Sequence, residues 1–204
     1  MQKIKNIIFD LGGVILNLDF KLTVLAFAEF GIGNFNEYYT LQFATSLFKK
    51  LERGEITADE FYNQFRELVN LPISNEQIQH AWNALLLDFP KERIEWLKAI
   101  SKRYKIYLLS NTNEIHYNAF TATYRKTIED KNFDDLFIKA YYSHKVGLRK
   151  PSKEIFEMVI RNENLNVTET LFIDDGEANI EAAKSLGFQT VHLLTPKTVL
   201  ELDL

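Results

Sequence analysis

Residues 4–13 read IKNIIFDLGG, and this stretch decides the fold. Its first six residues are mostly β-branched or aromatic, which is typical of a buried strand. The run ends at Asp10, and the glycines Gly12 and Gly13 that follow favour a tight loop because glycine tolerates positive φ. The stretch therefore predicts a buried strand over residues 4–9 that carries an aspartate at its carboxyl end.

Similar apolar runs recur in the second half of the chain. Four of them predict strands, and stretches with helical periodicity lie between them. Strands that alternate with helices favour an α/β fold, a Rossmann-like parallel sheet covered by helices on both faces. The predicted strands are residues 104–109, 137–142, 170–173 and 188–194, and the predicted helices are residues 91–101, 152–162 and 178–186, the last stopped by Gly187.

One long segment interrupts this alternation. After the first strand the sequence shows no convincing strand until about residue 89. Two capping boxes, Thr57 with Glu60 and Ser74 with Gln77, each precede an amphipathic segment. We therefore expect an inserted helical domain. The expected domains are a helical cap at residues 18–89 and an α/β core at residues 1–17 and 90–204.

The composition excludes several classes of protein. Of the 204 residues, 46% are hydrophobic and 25% are charged, which predicts a packed core rather than disorder. The formal net charge of −4 argues against nucleic-acid binding, which needs a basic surface. The absence of cysteine excludes disulfides, thiolate zinc sites and a cysteine nucleophile. No apolar stretch approaches the roughly 18–20 residues of a membrane span and no signal peptide is evident, so we expect a cytoplasmic protein.

Polar and charged side chains follow the predicted strands at their carboxyl ends, the edge where open parallel sheets bind ligands. Hard oxygen ligands at this density suit Mg²⁺ rather than zinc. A divalent metal, a lysine and backbone N–H donors are what phosphoryl transfer requires, because its catalysis is mostly positioning and charge neutralisation. The residues concerned are Asp10, Ser110, Asn111, Asp174 and Asp175, together with Lys150 in the segment GLRKP at residues 147–151.

Four motifs follow one another along the chain: FDLGGV at residues 9–14, LSNT at residues 109–112, KP at residues 150–151 and FIDD at residues 172–175. In this order they resemble the four motifs of the haloacid dehalogenase-like (HAD) superfamily. The resemblance covers essentially the whole chain, and the helical insert resembles the type-1 cap of that family. Within the family, the chain most resembles the bacterial α-D-glucose-1-phosphate phosphatases, a likeness that also includes ERGEI at residues 52–56 and Asn179.

The resemblance implies a role for each motif residue. Asp10 would attack phosphorus and form an aspartyl-phosphate. Asp175, Asp10 and the main-chain carbonyl of Gly12 would hold Mg²⁺, and Asp174 would act beside them directly or through water. Lys150 would neutralise charge on the nucleophile and on the transferring group.

The remaining parts of the site would bind and select the substrate. The Ser110 hydroxyl and the N–H of Asn111 would grip phosphate oxygens, and the cap would close over the site. The resemblance implies a small phosphorylated metabolite as partner, with a sugar phosphate such as glucose 1-phosphate favoured. We expect neither nucleic acid nor membrane as partner, and a monomer or a small homo-oligomer.

Gly12 is a departure from the usual family pattern. The usual acid/base is an aspartate two residues after the nucleophile, and losing such a group costs on the order of 10²–10⁴ in rate. We therefore expect either a substrate with a better leaving group, such as an anomeric hydroxyl, or a proton from another group.

Gly12 also keeps two alternatives open, a dehalogenase and a non-catalytic protein, and it argues against a third, a phosphomutase. The metal-independent 2-haloacid dehalogenases of the superfamily lack the same aspartate, but the pair Asp174 and Asp175 is of the metal-binding type. A non-catalytic protein that binds phosphate or a partner would not need the nucleophile Asp10. A phosphomutase would need the acid/base that is missing here.

Four charged residues outside the motifs are candidates for substrate contacts. Glu52, Arg53 and Glu55 lie in the insert and are candidate specificity contacts, and Arg53 and Arg149 are candidate helpers for an anionic substrate. His116 follows the second motif closely, but for this residue we favour a structural or exposed role over a place in the site.

Overall fold

A five-stranded parallel sheet forms the centre of the computed structural model, which describes residues 3–39, 47–128 and 132–204. The first strand lies in the middle, and the strand order is β3-β2-β1-β4-β5 with every pair parallel. The α/β fold with a parallel sheet is therefore confirmed. The strands are β1 (Asn6–Phe9), β2 (Lys105–Ser110), β3 (Lys139–Tyr142), β4 (Thr170–Asp174) and β5 (Gln189–His192).

Three of these strands are shorter than predicted. The sequence extends the first, third and fifth beyond their observed ends because apolar residues continue there. Phe137 and Leu193, for example, are buried in the core although they lie outside the strands. A hydrophobic pattern predicts which residues are buried. A residue belongs to a strand only if it also forms backbone hydrogen bonds with a neighbouring strand, so the apolar runs are longer than the strands.

Helices surround the sheet and fill the insert. The predicted helices of the second half are confirmed to within a residue at each end, but the sequence missed the long helix that follows β2. Its buried face mixes His116 and Thr121 with apolar residues, which obscures the periodicity. The helices are α1 (Phe20–Glu29), α2 (Leu47–Glu52), α3 (Ala58–Val69), α4 (Asn75–Asn83), α5 (Lys91–Ile100), α6 (Glu114–Ile128), α7 (Ser143–Val146), α8 (Lys153–Glu163) and α9 (Glu177–Ser185).

The two faces of the sheet pack against separate hydrophobic layers. Ile7 and Phe9 of β1 belong to one layer and Ile8 to the other, as the alternation of side chains along a strand requires. Because the central strand is buried on both faces, its carboxyl end is held in a fixed position.

A third hydrophobic cluster lies in the insert. Its buried members come from the segment between Ala26 and Trp82, joined by Ile115 of α6. Both capping boxes form as predicted, at the start of α3 and of α4. In the described part of residues 18–89 the structure has no strand, only an isolated bridge between Leu18 and Leu86. None of the described helices is long and apolar enough to cross a membrane.

Candidate active site

The carboxyl ends of two neighbouring strands, β1 and β4, bring the predicted acidic residues together. Asp10 follows β1 directly, and its N–H donates to the Ile173 carbonyl at 2.9 Å. Asp174 ends β4 and Asp175 comes next. Carboxylate oxygens of these three aspartates lie within 4.8 Å of one another. Such a set of oxygen donors fits a hard divalent cation.

Lys150 is buried between two of these carboxylates. Its Nζ lies 2.6 Å from Asp10 Oδ1 and 2.6 Å from Asp174 Oδ2, and the residue is 1% exposed. Burial alone would lower the pKa of Lys150, but the two carboxylates outweigh it and raise the pKa above its ordinary value. The lysine is therefore a permanent cation beside Asp10.

The side chain of Asn111 holds the main chain of Lys150 in place. Asn111 Oδ1 accepts from the Lys150 N–H at 2.8 Å, and Asn111 Nδ2 donates to the Lys150 carbonyl at 2.9 Å. The Lys150–Pro151 peptide bond is cis. Because the Asn111 side chain is engaged in this way, its main-chain N–H is the part that can bind a ligand.

The two adjacent aspartates differ in the partners they have. Asp174 is fully buried, and its Oδ1 accepts from the Gly176 N–H at 2.7 Å and from Asn179 Nδ2 at 2.9 Å. With Lys150 on its other oxygen, this carboxylate has three donors. Asp175 is exposed, and burial of part of its carboxyl and the neighbouring Asp174 raise its pKa. Asp175 is thus the more available of the two for a ligand.

The pKa of the Asp10 carboxyl group is strongly raised. Burial raises its pKa to about 7, and the charges of Asp174 and Asp175 add to the effect while Lys150 opposes it. Three carboxylates around one ammonium leave an excess of negative charge, which a bound cation would neutralise.

The two glycines of the first loop have different neighbours. Gly13 has a φ of 72°, and a Cβ there would collide with the carboxylate of Asp175. Gly13 therefore lets β1 and β4 bring their acidic residues close together. A Cβ at Gly12 would lie 2.5 Å from Leu18 Cδ1, the end of a flexible and partly exposed side chain.

A cavity of about 250 Å³ opens beside Gly12 and Ser110. Much of its wall is apolar and consists mainly of leucines, including Leu18, Leu85 and Leu86. Its polar wall includes Ser110, Asn111 and Thr112 of the segment at the end of β2, and further residues from the insert and from α6. These further residues are Tyr39, Glu52 and Trp82 from the insert and His116 from α6.

His116 is a buried residue that also lines the cavity. Its ring stacks on Trp82 with centroids 4.7 Å apart, and its Nδ1 donates to Asn83 Oδ1 at 2.8 Å. Burial lowers the pKa of His116 to about 3, so the ring is neutral at neutral pH. His116 therefore has the structural role that the sequence favoured, and it also lines the cavity.

The charged candidates of the insert separate into two groups. Glu52 lines the cavity, and its Oε2 accepts from Arg149 Nε at 2.7 Å. Burial raises the pKa of Glu52, and Arg149 opposes that shift. Arg53 pairs with Glu55 at 2.6 Å on the surface instead. None of Arg53, Glu55 and Arg149 belongs to the described cavity wall, although we expected Arg53 and Glu55 as specificity contacts and Arg53 and Arg149 as helpers for an anion.

Sequence reasoning missed a supporting residue of the site, Ser143. Its buried Oγ donates to the Thr112 carbonyl at 2.8 Å and accepts from the Thr112 N–H at 2.9 Å. These bonds fasten the loop after β2 to the start of α7. No signal in the sequence identifies Ser143, because it lies 31 positions from its partner.

An acidic cluster, a buried lysine and a cavity at the carboxyl edge of a parallel sheet define an α/β protein with a ligand site at the position typical of this class. Residues 4–187 match the family profile of the haloacid dehalogenase-like hydrolases, and the chain belongs to this family.

Individual relatives include a phosphatase and a HAD family enzyme of known structure. The chain is 35% identical over 187 residues to the D-ribitol-5-phosphate phosphatase of Bacteroides thetaiotaomicron, covering 92% of this chain and 90% of that protein. A crystal structure of a HAD family enzyme from the same organism, in complex with magnesium and inorganic phosphate, is 36% identical with a TM-score of 0.86 and covers 95% and 96% of the two chains. The predicted enzyme class, a HAD-like hydrolase of the phosphatase type, is thereby confirmed.

A more distant structure shares the fold alone. The L-2-haloacid dehalogenase of Xanthobacter autotrophicus has a TM-score of 0.60 at 17% identity, over 92% of this chain and 76% of that one. At this level of identity the likeness carries no statement about activity.

Proposed function

We propose that this protein is a Mg²⁺-dependent phosphatase that acts on a sugar or sugar-alcohol phosphate through an aspartyl-phosphate on Asp10. The observation that carries the proposal is the buried ammonium of Lys150, 2.6 Å from both Asp10 and Asp174, at the sheet edge where Gly12, Ser110 and Asn111 line a cavity. A positively charged group next to a carboxylate nucleophile suits attack on a phosphate dianion.

The donor set fits Mg²⁺. Asp10 and Asp175 would hold the ion together with the main-chain carbonyl of Gly12. Asp174 has three hydrogen-bond donors already, so it would orient Lys150 and act on the ion indirectly. When bound, the ion would supply charge neutralisation for the phosphoryl group.

The reaction would proceed in two displacements at phosphorus. A carboxylate oxygen of Asp10 would bond to phosphorus while the bond from phosphorus to the leaving oxygen breaks. Ser110 and the N–H of Asn111 would hold the phosphate oxygens, and Lys150 would balance their charge. Water would then attack phosphorus, release inorganic phosphate and regenerate the Asp10 carboxylate. Gly12 offers no proton to the leaving oxygen, so that proton would come from water or from another group.

We also propose that residues 18–89 act as a cap on a core of residues 1–17 and 90–204. The separate hydrophobic cluster of the insert supports this division. The pair Glu52 and Arg149 would link the two parts beside the cavity. The cytoplasmic location and the monomeric or small homo-oligomeric state stay predictions.

The proposed substrate class is supported by the cavity and by the similarity to the D-ribitol-5-phosphate phosphatase. A phosphatase for D-ribitol 5-phosphate at 35% identity supports a sugar or sugar-alcohol phosphate. The predicted likeness to glucose-1-phosphate phosphatases has no support in these comparisons and stays a prediction. The two substrates differ at the leaving oxygen, which is a primary alcohol in one and an anomeric hydroxyl in the other.

The test is phosphate release from a panel that contains D-ribitol 5-phosphate, glucose 1-phosphate, other sugar phosphates and nucleotides. We expect turnover with Mg²⁺, loss of turnover in excess chelator, and a decrease of about 10³-fold or more in Asp10→Asn. Turnover that persists in chelator or in Asp10→Asn would contradict the proposal. If a folded protein that binds Mg²⁺ releases phosphate from no member of the panel, the non-catalytic alternative is favoured. Chelator-insensitive halide release from a 2-haloacid would favour the dehalogenase.

A further inference from the structure

The cavity beside Gly12 has neither a lysine nor an arginine among the described residues that line it, and its one histidine, His116, is neutral at neutral pH. An anionic group buried without a cation is costly. The cavity is therefore unsuited to a second phosphate or to a carboxylate on the substrate.

His116 presents a fixed hydrogen-bond acceptor to this cavity. Because Nδ1 donates to Asn83 Oδ1 and the ring is neutral, Nε2 carries a lone pair. Within the described ranges, Nε2 has no hydrogen-bond partner, and stacking on Trp82 fixes the plane of the ring. A ligand in the cavity would meet an acceptor at this point of the wall.

Glu52 presents a second acceptor. Arg149 Nε donates to its Oε2 at 2.7 Å, and the side chain is 15% exposed. Its other oxygen, Oε1, accepts no hydrogen bond from the residues that the structure describes. Arg149 thus holds the carboxylate in one orientation and leaves Oε1 for a ligand.

We propose that Glu52 Oε1 and His116 Nε2 are the specificity-determining acceptors of the site and that they select a monophosphate whose organic part is a neutral polyol. The inference rests on the proposed phosphatase function. Hydroxyl groups supply the donors that both acceptors need, and the leucines of the wall pack against the carbon chain. A volume of about 250 Å³ lies just below the roughly 300–1,000 Å³ of sites for drug-sized ligands, which suits a short polyol rather than a nucleoside.

The experiment uses two variants and two substrates. His116→Phe keeps a ring to stack on Trp82 but removes Nε2. In Glu52→Gln the Arg149 guanidinium would donate to the amide oxygen. The amide NH₂, which is a donor, would then stand where Oε1 of Glu52 accepts in the wild type. Both variants are measured with D-ribitol 5-phosphate and with phenyl phosphate, whose leaving group has no further hydroxyl. His80→Phe is the matched control, because His80 is exposed on α4 and is not part of the described wall.

We expect each variant to lower the ratio of kcat/KM for D-ribitol 5-phosphate over phenyl phosphate by roughly three- to tenfold, mainly through KM. In His80→Phe the ratio should stay that of the wild type. We also expect the wild type to prefer the polyol monophosphate to a sugar bisphosphate of the same length.

Three results would overturn the inference while the phosphatase stands. They are an unchanged ratio in both variants, a parallel loss with both substrates, and a preference of the wild type for the bisphosphate. If the wild type hydrolyses neither phenyl phosphate nor the polyol phosphate with Mg²⁺, the proposed function fails and this inference fails with it. Hydrolysis of phenyl phosphate by the wild type therefore distinguishes a failure of this inference from a failure of the proposed function.

Discussion

Asp10 and Lys150 show how single residues set the electrostatics of the site. The lysine is a buried cation whose ammonium contacts two carboxylates, and still the pKa of Asp10 is raised to about 7. The cluster therefore has more negative charge than one lysine can balance. A bound divalent cation would supply the positive charge that the cluster lacks.

Gly12 is the residue whose replacement tests the missing acid/base. We expect Gly12→Asp to raise kcat for alkyl phosphates, by up to about 10²-fold, because it supplies a proton for a poor leaving group. A substrate with a better leaving group, such as glucose 1-phosphate, should gain less. Since a Cβ at Gly12 would lie 2.5 Å from Leu18 Cδ1, the change is best combined with Leu18→Ala. Initial rates of phosphate release measure the effect.

Leu18→Ala alone is the control for this experiment. A folded double variant with no gain over that control on any alkyl phosphate would contradict the idea that Gly12 limits the reaction.

At the scale of elements, short loops after the strands carry most of the site. The loop after β2 is fastened by Ser143, and the loop before α8 is fastened by Asn111. Each uses a side chain to satisfy main-chain groups that the sheet leaves unpaired. The positions of Ser110 and Lys150 therefore depend on residues that need not touch the substrate.

Ser143→Ala should weaken this support. The change leaves the N–H and carbonyl of Thr112 without their buried partner, so we expect the free energy of unfolding to fall by about 1–3 kcal/mol and kcat to fall with it. Urea denaturation and phosphate release measure the two effects. Ser185→Ala is the control, because its Oγ bonds the Ala182 carbonyl at an exposed position. Equal effects of the two variants would contradict the role of Ser143.

The elements also show what the sequence could predict. Strand ends and motif residues are local signals, so Asp10, Lys150 and the Asp174–Asp175 pair were found from spacing and resemblance. Contacts between distant segments leave no such signal. Glu52 and Arg149 are 97 positions apart, and the place of His116 in the cavity depends on how α4 packs on α6. The helix α6 itself was missed because polar residues occupy part of its buried face.

At the scale of the whole molecule, acid should weaken the fold through its buried histidine. The pKa of His116 is about 3 in the folded protein against an ordinary value of 6.5, because burial disfavours the charged ring. Between these values the unfolded chain binds more protons, so the free energy of unfolding falls as the pH falls. For His116 alone we expect a loss of about 1–2 kcal/mol from pH 7 to pH 5.

Urea denaturation at both pH values, without added metal, measures this loss. In His116→Phe the decrease from pH 7 to pH 5 should be smaller by that amount, whereas the exposed His80→Phe should behave as the wild type. The same decrease in His116→Phe and in the wild type would show that His116 does not couple the fold to pH.

The cavity beside Gly12 lies between the insert and the carboxyl edge of the sheet, and the proposed function depends on Asp10 acting as the nucleophile at that edge. The most direct measurement is ¹⁹F NMR of the protein with Mg²⁺ and beryllium fluoride, which mimics a phosphoryl group bonded to a carboxylate. The account predicts a bound fluoride signal in the wild type that disappears in excess chelator and in Asp10→Asn. A bound signal that persists in folded Asp10→Asn would contradict it.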